Sequence, residues 1–284
     1  MAQTSGNQDR QQSLAQARHF AQSGRIADAE RLLDALITDQ PADPEAQRLH
    51  AMLALQQQHP GLAIERLTAA LALMPDQSGL LTDLGIALKA DGQHEQAEAA
   101  LRKVADHHPP LPAALLQLGI LLRDQERFDE GEQVPRRCVE AFPRHGRAWL
   151  ELGVLLTRSE ALDAAETCFT RALDIDADNG LAHAGIAMLY RQRNQFAKAV
   201  AGYRRCLELV PDMPPASLGL GYCLQESGEL NEAITVYRDL LAQRPNLYQA
   251  VLKNLSSASC GVIFQRPSDL RSLLLDPPSD GLAR

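Results

Sequence analysis

Apolar positions recur along this chain at helical spacing, in paired stretches separated by short polar breaks. Leu81, Leu84, Gly85 and Leu88 fall on one face of a helix. A turn follows at Asp91-Gly92, and Ala97, Leu101 and Val104 then share the face of a second helix. Pro109 closes the unit, because proline cannot continue a helix. The same unit repeats every 34 residues. Pro41, Pro75, Pro109, Pro143, Pro211 and Pro245 lie on one such grid, with Ala177 at the remaining node. A second column reads Ala29, Ala63, Ala97, Gly131, Ala165, Ala199, Ala233. A third reads Ala17, Ala51, Gly85, Gly119, Gly153, Ala187, Gly221, and a fourth Leu33, Leu67, Leu101, Pro135, Phe169, Tyr203, Tyr237. Small residues in the third column let the two helices of a unit approach closely. Those in the second do the same for the next unit, and the bulky fourth column fills the space between units.

These residues resemble the tetratricopeptide repeat, with its W-x2-L-G-x2-Y, A-x3-F, A and P signature. Unit five matches through Trp149, Leu152, Gly153, Leu156, Ala165, Phe169 and Ala172. Unit seven matches through Leu220, Gly221, Leu224, Gly228, Ala233, Tyr237, Leu240 and Pro245. The expected fold is all-α: an α-solenoid of seven helix-turn-helix repeats over residues 10–247 plus a C-terminal capping helix. The resemblance implies a right-handed superhelix. Residues 1–9 are expected to be disordered. Ser13, Gln16, Gln47 and His50 stand where the family carries apolar residues, which suits terminal units that meet water. Gly131 and Pro135 in one helix predict a kink there, since proline costs ~3 kcal/mol and glycine ~1 inside a helix.

Beyond residue 247, Val251, Leu255 and Ala258 predict a capping helix from Tyr248 to about Ser259, broken at Cys260-Gly261. Ser268 is a good N-cap for 269–275. The segment 261–275 is expected to fold back on the last helices, completing a 248–275 cap and extension. The alternative is that it docks a partner through exposed Leu273, Leu274 and Leu275. Residues 276–284 read as a flexible tail.

Composition agrees with helices. Of 284 residues, about 88 are Ala or Leu, and aromatics are only 4%, which argues against large sheets. The net charge of −8 argues against nucleic acid or an anionic membrane surface as partner. No run of 18 apolar residues exists to insert in a membrane, and the N-terminus shows no apolar signal core. Five widely spaced cysteines read as reduced thiols, so the expected location is cytoplasmic.

No catalytic, cofactor or metal constellation emerges, and the chain is expected not to be an enzyme. Asp174–Gly180 has the look of a calcium loop, but Asn179 stands where glycine is needed and Gly185 where glutamate is. Gly219-Leu220-Gly221 lacks the preceding strand and third glycine of a dinucleotide site. His107-His108 reads as a solvated loop, His183 as a packing residue in Trp149's column, and Cys138 and Cys206 as buried structural thiols. Asn254-Leu255-Ser256 matches a glycosylation sequon but lies in a predicted helix.

The resemblance implies that the first helix of each unit lines a concave groove, through its fifth, ninth and twelfth positions. The apolar candidates are Met52, Ile86, Leu116, Ile120, Leu150, Val154, Met188, Leu218 and Tyr222, with a cationic edge of Lys89, Arg123 and Arg191. Such rows suit an extended peptide or amphipathic helix of another protein, whose acids the three cations would orient. The carboxylate clamp of chaperone-binding repeats is absent, because these first helices carry no Asn. A second cationic row, with Arg102, Lys103, Arg136, Arg137, Arg171, Arg204, Arg205 and Arg238, reads as a solvated face matched to the helix dipoles. The expected function is a non-catalytic scaffold or adaptor. The alternatives are an accessory subunit of a sulfotransferase or glycosyltransferase, and a homo-oligomer assembled through the C-terminal segment.

Overall fold

The computed structural model describes residues 2–107, 110–257 and Leu274. Among the described residues every regular element is helical. The first helices of the repeats are α1 (Ala2–Gln22), α3 (Pro44–Gln56), α5 (Ser78–Ala90), α7 (Pro112–Asp124), α9 (Gly146–Arg158), α11 (Gly180–Gln192) and α13 (Pro214–Glu226). The second helices are α2 (Ile26–Asp39), α4 (Pro60–Leu73), α6 (His94–Ala105), α8 (Phe128–Ala141), α10 (Leu162–Ile175), α12 (Phe196–Leu209) and α14 (Leu230–Gln243). A 3-10 turn, Pro245–Leu247, leads into α15 (Tyr248–Ser257). Every second helix starts 34 residues after the previous one, as do the first helices from α3 onward. The fold is therefore an α-solenoid of seven repeats with a further helix.

The turn inside each repeat is the same structure seven times. Residues 24, 58, 92, 126, 160, 194 and 228 all have positive φ, between 56° and 83°. Glycine fills three of these positions. Gln58, Glu126, Glu160 and Asn194 fill the others at a steric cost. Each first helix ends in paired backbone bonds around this residue. In repeat three, Gly92 N–H donates to the Lys89 carbonyl and Gln93 N–H to that of Leu88, at 3.1 and 2.8 Å. This is a Schellman ending, which satisfies carbonyls that the helix itself leaves open.

The chain forms two compact units, residues 1–142 and 143–284. In the first, α1 to α8 pack each on the next, and α3, α5 and α7 also touch in succession. Its wedges are aliphatic: Leu33, Leu67 and Leu101 are fully buried. In the second, α9, α11 and α13 touch in succession and α15 covers α13. Its wedges are the aromatic rings of Phe169, Tyr203 and Tyr237, all buried. Glycines make room for them. A Cβ on Gly153 or on Gly185 would lie 2.7 Å from the Phe169 ring, so that ring is held between two bare backbones. Gly219 faces Tyr203 and Gly221 faces Tyr237 in the same way, so both glycines of the 219–221 motif serve packing.

Several expectations need correction. The first helix begins at Ala2, not near residue 10. Its N-terminal half is tied down by Arg10, which pairs with Asp43 on the next repeat at 2.5 and 2.7 Å. Gln47 and His50 do not face water; each is only 4% exposed. They sit between repeats one and two, where Gln47 donates to the Pro41 carbonyl at 3.3 Å and His50 Nε2 lies 3.5 Å from Asp34. Helix α8 runs unbroken through Pro135. The proline ring is accommodated by Gly119, whose missing Cβ would lie 3.2 Å from Pro135 Cδ.

At the C-terminus, Val251 and Leu255 are buried as expected of a cap. Leu274 is 2% exposed and belongs to the same hydrophobic cluster, so it is not an exposed docking residue. The other residues of 258–284, including Ala258, Cys260, Leu273 and Leu275, lie outside the described residues, as does His108.

Candidate partner-binding surface

The first helices pack against the second helices of their own repeats and touch one another in succession within each unit. In unit one, Met52 on α3 is 52% exposed and Ile86 on α5 is half-buried. On α7, Leu116 and Ile120 are buried, at 4% and 8% exposure. In unit two, Leu150 on α9 is buried at 7%, whereas Val154, Met188, Leu218 and Tyr222 are half-buried. The candidate residues thus divide. Leu116, Ile120 and Leu150 belong to the core, and the remaining six apolar candidates keep surface available to a ligand.

The cationic edge is not a row of bare charges. Lys89 Nζ and an Arg123 guanidinium nitrogen lie 3.6 and 3.3 Å from the same carboxylate, Asp124. Asp124 itself is about half exposed. Arg191 sits over the Tyr222 ring, 5.8 Å from its centroid, and Phe196 meets that ring edge-on at 6.4 Å. The aromatic ring therefore orients this cation. Asp124 is a participant that the position rule did not select, although it directly follows Arg123 in sequence.

The second cationic row is stitched together internally. Arg102 reaches Glu130 at 3.1 Å and Arg204 reaches Glu232 at 2.6 Å, in each case one repeat further on. Lys103 pairs with Asp76 and Arg205 with Asp178, in the opposite direction. Arg127, Glu98, Arg102 and Glu130 close a four-membered ring of ion pairs between α6 and α8. The hydrogen bonds that Arg127 donates to Glu130 and Glu98 raise its pKa. Burial works against ionisation of Glu98, but Arg127 and Arg102 outweigh it and hold that carboxyl below its usual range.

Buried thiols behave as structural groups. Cys138, Cys168, Cys206 and Cys223 are buried, reduced thiols. Burial pushes the Cys138 thiol up to about 11 and that of Cys223 up to about 12, far from thiolate reactivity at neutral pH. The acidic stretch around Asp178 serves the turn: Asp176 accepts from the Asp178 amide at 3.2 Å and Asn179 caps α11 through the Ala182 amide at 3.1 Å. No group of three potential metal ligands occurs among the described residues. None of the described helices is long and apolar enough to cross a membrane. The Asn254 amide is engaged in packing, donating to the Leu218 carbonyl at 3.0 Å.

Three side chains of Trp149's column share a contact that position alone did not predict. Gln47, Trp149 and His183 each point back to the carbonyl six residues earlier, at Pro41, Pro143 and Ala177, over 3.3, 2.8 and 3.0 Å. These acceptors are nodes of the proline grid, so the three side chains tie α3, α9 and α11 to the turns that precede them.

Comparison with known proteins agrees with this repeat geometry. A solved tetratricopeptide repeat protein from Parabacteroides merdae superposes with a TM-score of 0.66 at 19% identity, covering 88% of this chain and 98% of that one. Pseudomonas aeruginosa PilF superposes with a TM-score of 0.62 at 16% identity, covering 74% of this chain and 96% of its own. A chain of the Cut9–Hcn1 hetero-tetramer of the APC/C gives a TM-score of 0.65 at 19% identity over 75% of this chain and 42% of that one. At these identities the likeness concerns the fold. No curated protein matches the sequence. Two family models described as tetratricopeptide repeat match it, one over residues 54–119 and 190–255, the other over 14–78 and 116–180. Together with the seven identical turns, these matches show that the chain belongs to the tetratricopeptide-repeat family, whose members generally mediate protein–protein interaction.

Proposed function

We propose that this protein is a non-catalytic adaptor that holds a peptide or amphipathic helix of a partner protein along its first helices. The observation that carries this reading is the accessible apolar row of Val154, Met188 and Tyr222 in the second unit, on helices whose other large apolar residues are mostly buried, with Met52 and Ile86 as accessible counterparts in the first unit. Met52 is the most exposed large apolar residue among those described. Contacts of this kind suit the apolar anchors of a helix or extended segment. Lys89, Arg123 and Arg191 add a modest preference for acidic side chains beside those anchors.

The test combines Val154→Glu with Met188→Glu, both at half-buried positions that tolerate a solvated carboxylate. A photo-crosslinking residue at Leu218, in the same unit, identifies the bound segment. The double variant is expected to lose that partner at least ten-fold while its helical circular dichroism is unchanged. Retained affinity in the folded double variant would sink the reading.

A further inference from the structure

The carbonyl contact of Gln47, Trp149 and His183 is not shared by every repeat: Leu81 and Leu115 carry no donor at this position, and in repeat seven a cleft lies at this place. Where Trp149 and His183 reach back to the preceding turn, repeat seven carries Ser217, which is too short to do so. Among the described residues no donor reaches the Pro211 carbonyl, the counterpart of those at Pro143 and Ala177. An opening of about 200 Å³ lies at this place, walled by Pro211, Met213, Ser217, Leu220 and Leu240. That is below the ~300–1,000 Å³ of small-molecule sites, and it is of the order of one large side chain.

A second substitution falls at the same cleft. The helix position that borders it, 239, is one node of a column that reads Lys103, Arg137, Arg171, Arg205 and then Asp239. In repeat six the corresponding Arg205 pairs with Asp178 of the turn, at 2.6 Å. In repeat seven the turn acid, Asp212, is paired instead with Arg244 at 2.6 Å, and no described cation reaches Asp239. Repeat seven therefore lacks both the ring that fills this place in repeat five and the cation that borders it in repeats three to six.

We propose that the cleft at Ser217 is a docking pocket for a tryptophan side chain of a partner protein, flanked in that partner by lysine or arginine. The indole would lie against Met213, Leu220 and Leu240 and donate its N–H to the Pro211 carbonyl, as Trp149 does to Pro143 within this chain. The neighbouring cation of the partner would meet Asp239. An aromatic anchor in a desolvated pocket is the kind of contact that dominates interface energetics. This pocket lies on the turn side of α12, α13 and α14 and does not depend on the row of Val154, Met188 and Tyr222.

The experiment titrates the full chain against a fluorescein-labelled nonapeptide, Gly-Ser-Gly-Lys-Trp-Lys-Gly-Ser-Gly, with anisotropy as the readout. Saturable binding is expected, weakened at least ten-fold when the peptide's tryptophan is replaced by alanine. Ser217→Trp restores the column and fills the cleft from within. It is expected to weaken peptide binding at least ten-fold and to raise the thermal midpoint. Ser217→Gln, by analogy with Gln47, supplies the donor with a smaller side chain and covers the case in which the tryptophan variant does not fold. Asp239→Arg restores the column's cation and is expected to weaken binding several-fold and to flatten its salt dependence. Met188→Glu, in the other surface, is expected to change nothing, so that failure of one reading is distinguishable from failure of the other. Lack of saturation at millimolar peptide, indifference to the peptide's tryptophan, or full affinity in a folded Ser217 variant overturns the proposal. Unchanged affinity in Asp239→Arg overturns the basic flank.

Discussion

The two units solve the same packing problem with different materials. Unit one separates its repeats with flexible aliphatic wedges, Leu33, Leu67 and Leu101, and adds buried polar groups at Asp43, Gln47 and His50, with a half-buried Arg10 paired to Asp43. Unit two uses the rigid rings of Phe169, Tyr203 and Tyr237 against glycines. A leucine can change rotamer when a neighbour intrudes, whereas a ring held between Gly153 and Gly185 cannot retreat from one without striking the other. Unit two should therefore be the more sensitive to steric change, and unit one to acid. The lesson is that a repeat register keeps positions while leaving open what kind of perturbation each interface resists.

The sharpest way to break this contrast is at the wedges. Phe169→Ala is expected to cost about 3–5 kcal/mol, and Gly153→Ala about 2–3 kcal/mol through overpacking. Gly85→Ala, whose Cβ would meet Leu101 Cγ at 2.6 Å, is expected to cost less than Gly153→Ala because the leucine can rotate. Urea unfolding of the three variants gives the comparison, and a larger cost at Gly85 would reverse it.

Next in size is Arg10→Ala. It leaves Asp43 buried beside only its two capped amides, from Glu45 and Ala46 at 3.0 and 3.2 Å. The expected loss is about 2 kcal/mol, since an uncompensated buried charge costs several kcal/mol and partial exposure of the site reduces it. Hydrogen exchange should place the loss in unit one. The same loss in Asp43→Asn, with no additional effect of Arg10→Ala on that background, would confirm that the two act as a pair.

The units should also part company in pH. Burial lowers the pKa of His50, with Asp34, Glu30 and Glu65 opposing and Arg66 adding to the shift. The unfolded chain therefore takes up the proton first, and this part of the stability is complete above about pH 6.5 and declines as the pH falls. Burial likewise opposes ionisation of Asp43, but Arg10 and the Ala46 and Glu45 amides prevail and depress its pKa. Its contribution is lost at lower pH, as the pH falls through that depressed value. At alkaline pH unit one holds one such thiol, Cys138, raised by burial to about 11, whereas in unit two burial raises Cys206, raises Tyr203 to about 12 and raises Cys223 to about 12. Those contributions are complete below the unfolded values, near 8.5 for cysteine, and fade as the pH rises toward 12. Hydrogen exchange at pH 5.5, 7.5 and 9.5 checks both trends, and His50→Leu should flatten the acid limb of unit one.

The smallest expected effects lie in the turns. Gly92→Ala meets no atom within 4 Å, so its cost of about 1 kcal/mol is purely conformational. Glu160→Gly, at φ 60°, relieves the same penalty in unit two and should raise stability by about 0.5–1 kcal/mol. Thermal midpoints of the two variants should move in opposite directions.

Much of the fold was legible in the chain because a solenoid repeats its local rules. Proline, alanine and glycine on one 34-residue grid mark helix ends and close approaches wherever they occur. The candidate surface was legible only as faces. Helical periodicity places Ile120 and Met52 in the same row, yet one is 8% and the other 52% exposed. Which neighbour covers a face depends on side chains from adjacent repeats, and a single helix period contains no such information. The positive-φ column is hidden in the sequence because Gln58, Glu126, Glu160 and Asn194 disguise a position that glycine would have announced.

By itself, then, the sequence determined the number of repeats, their 34-residue spacing and the family, because each follows from spacing along one chain. Tertiary structure decided what the spacing could not: that Gln47 and His50 are buried, that Lys89 and Arg123 share Asp124, and that Leu274 joins the core. It also decided that a serine in place of a tryptophan leaves a cleft beside Pro211. Burial and pairing are properties of the space between helices, and that space exists only once the repeats have stacked.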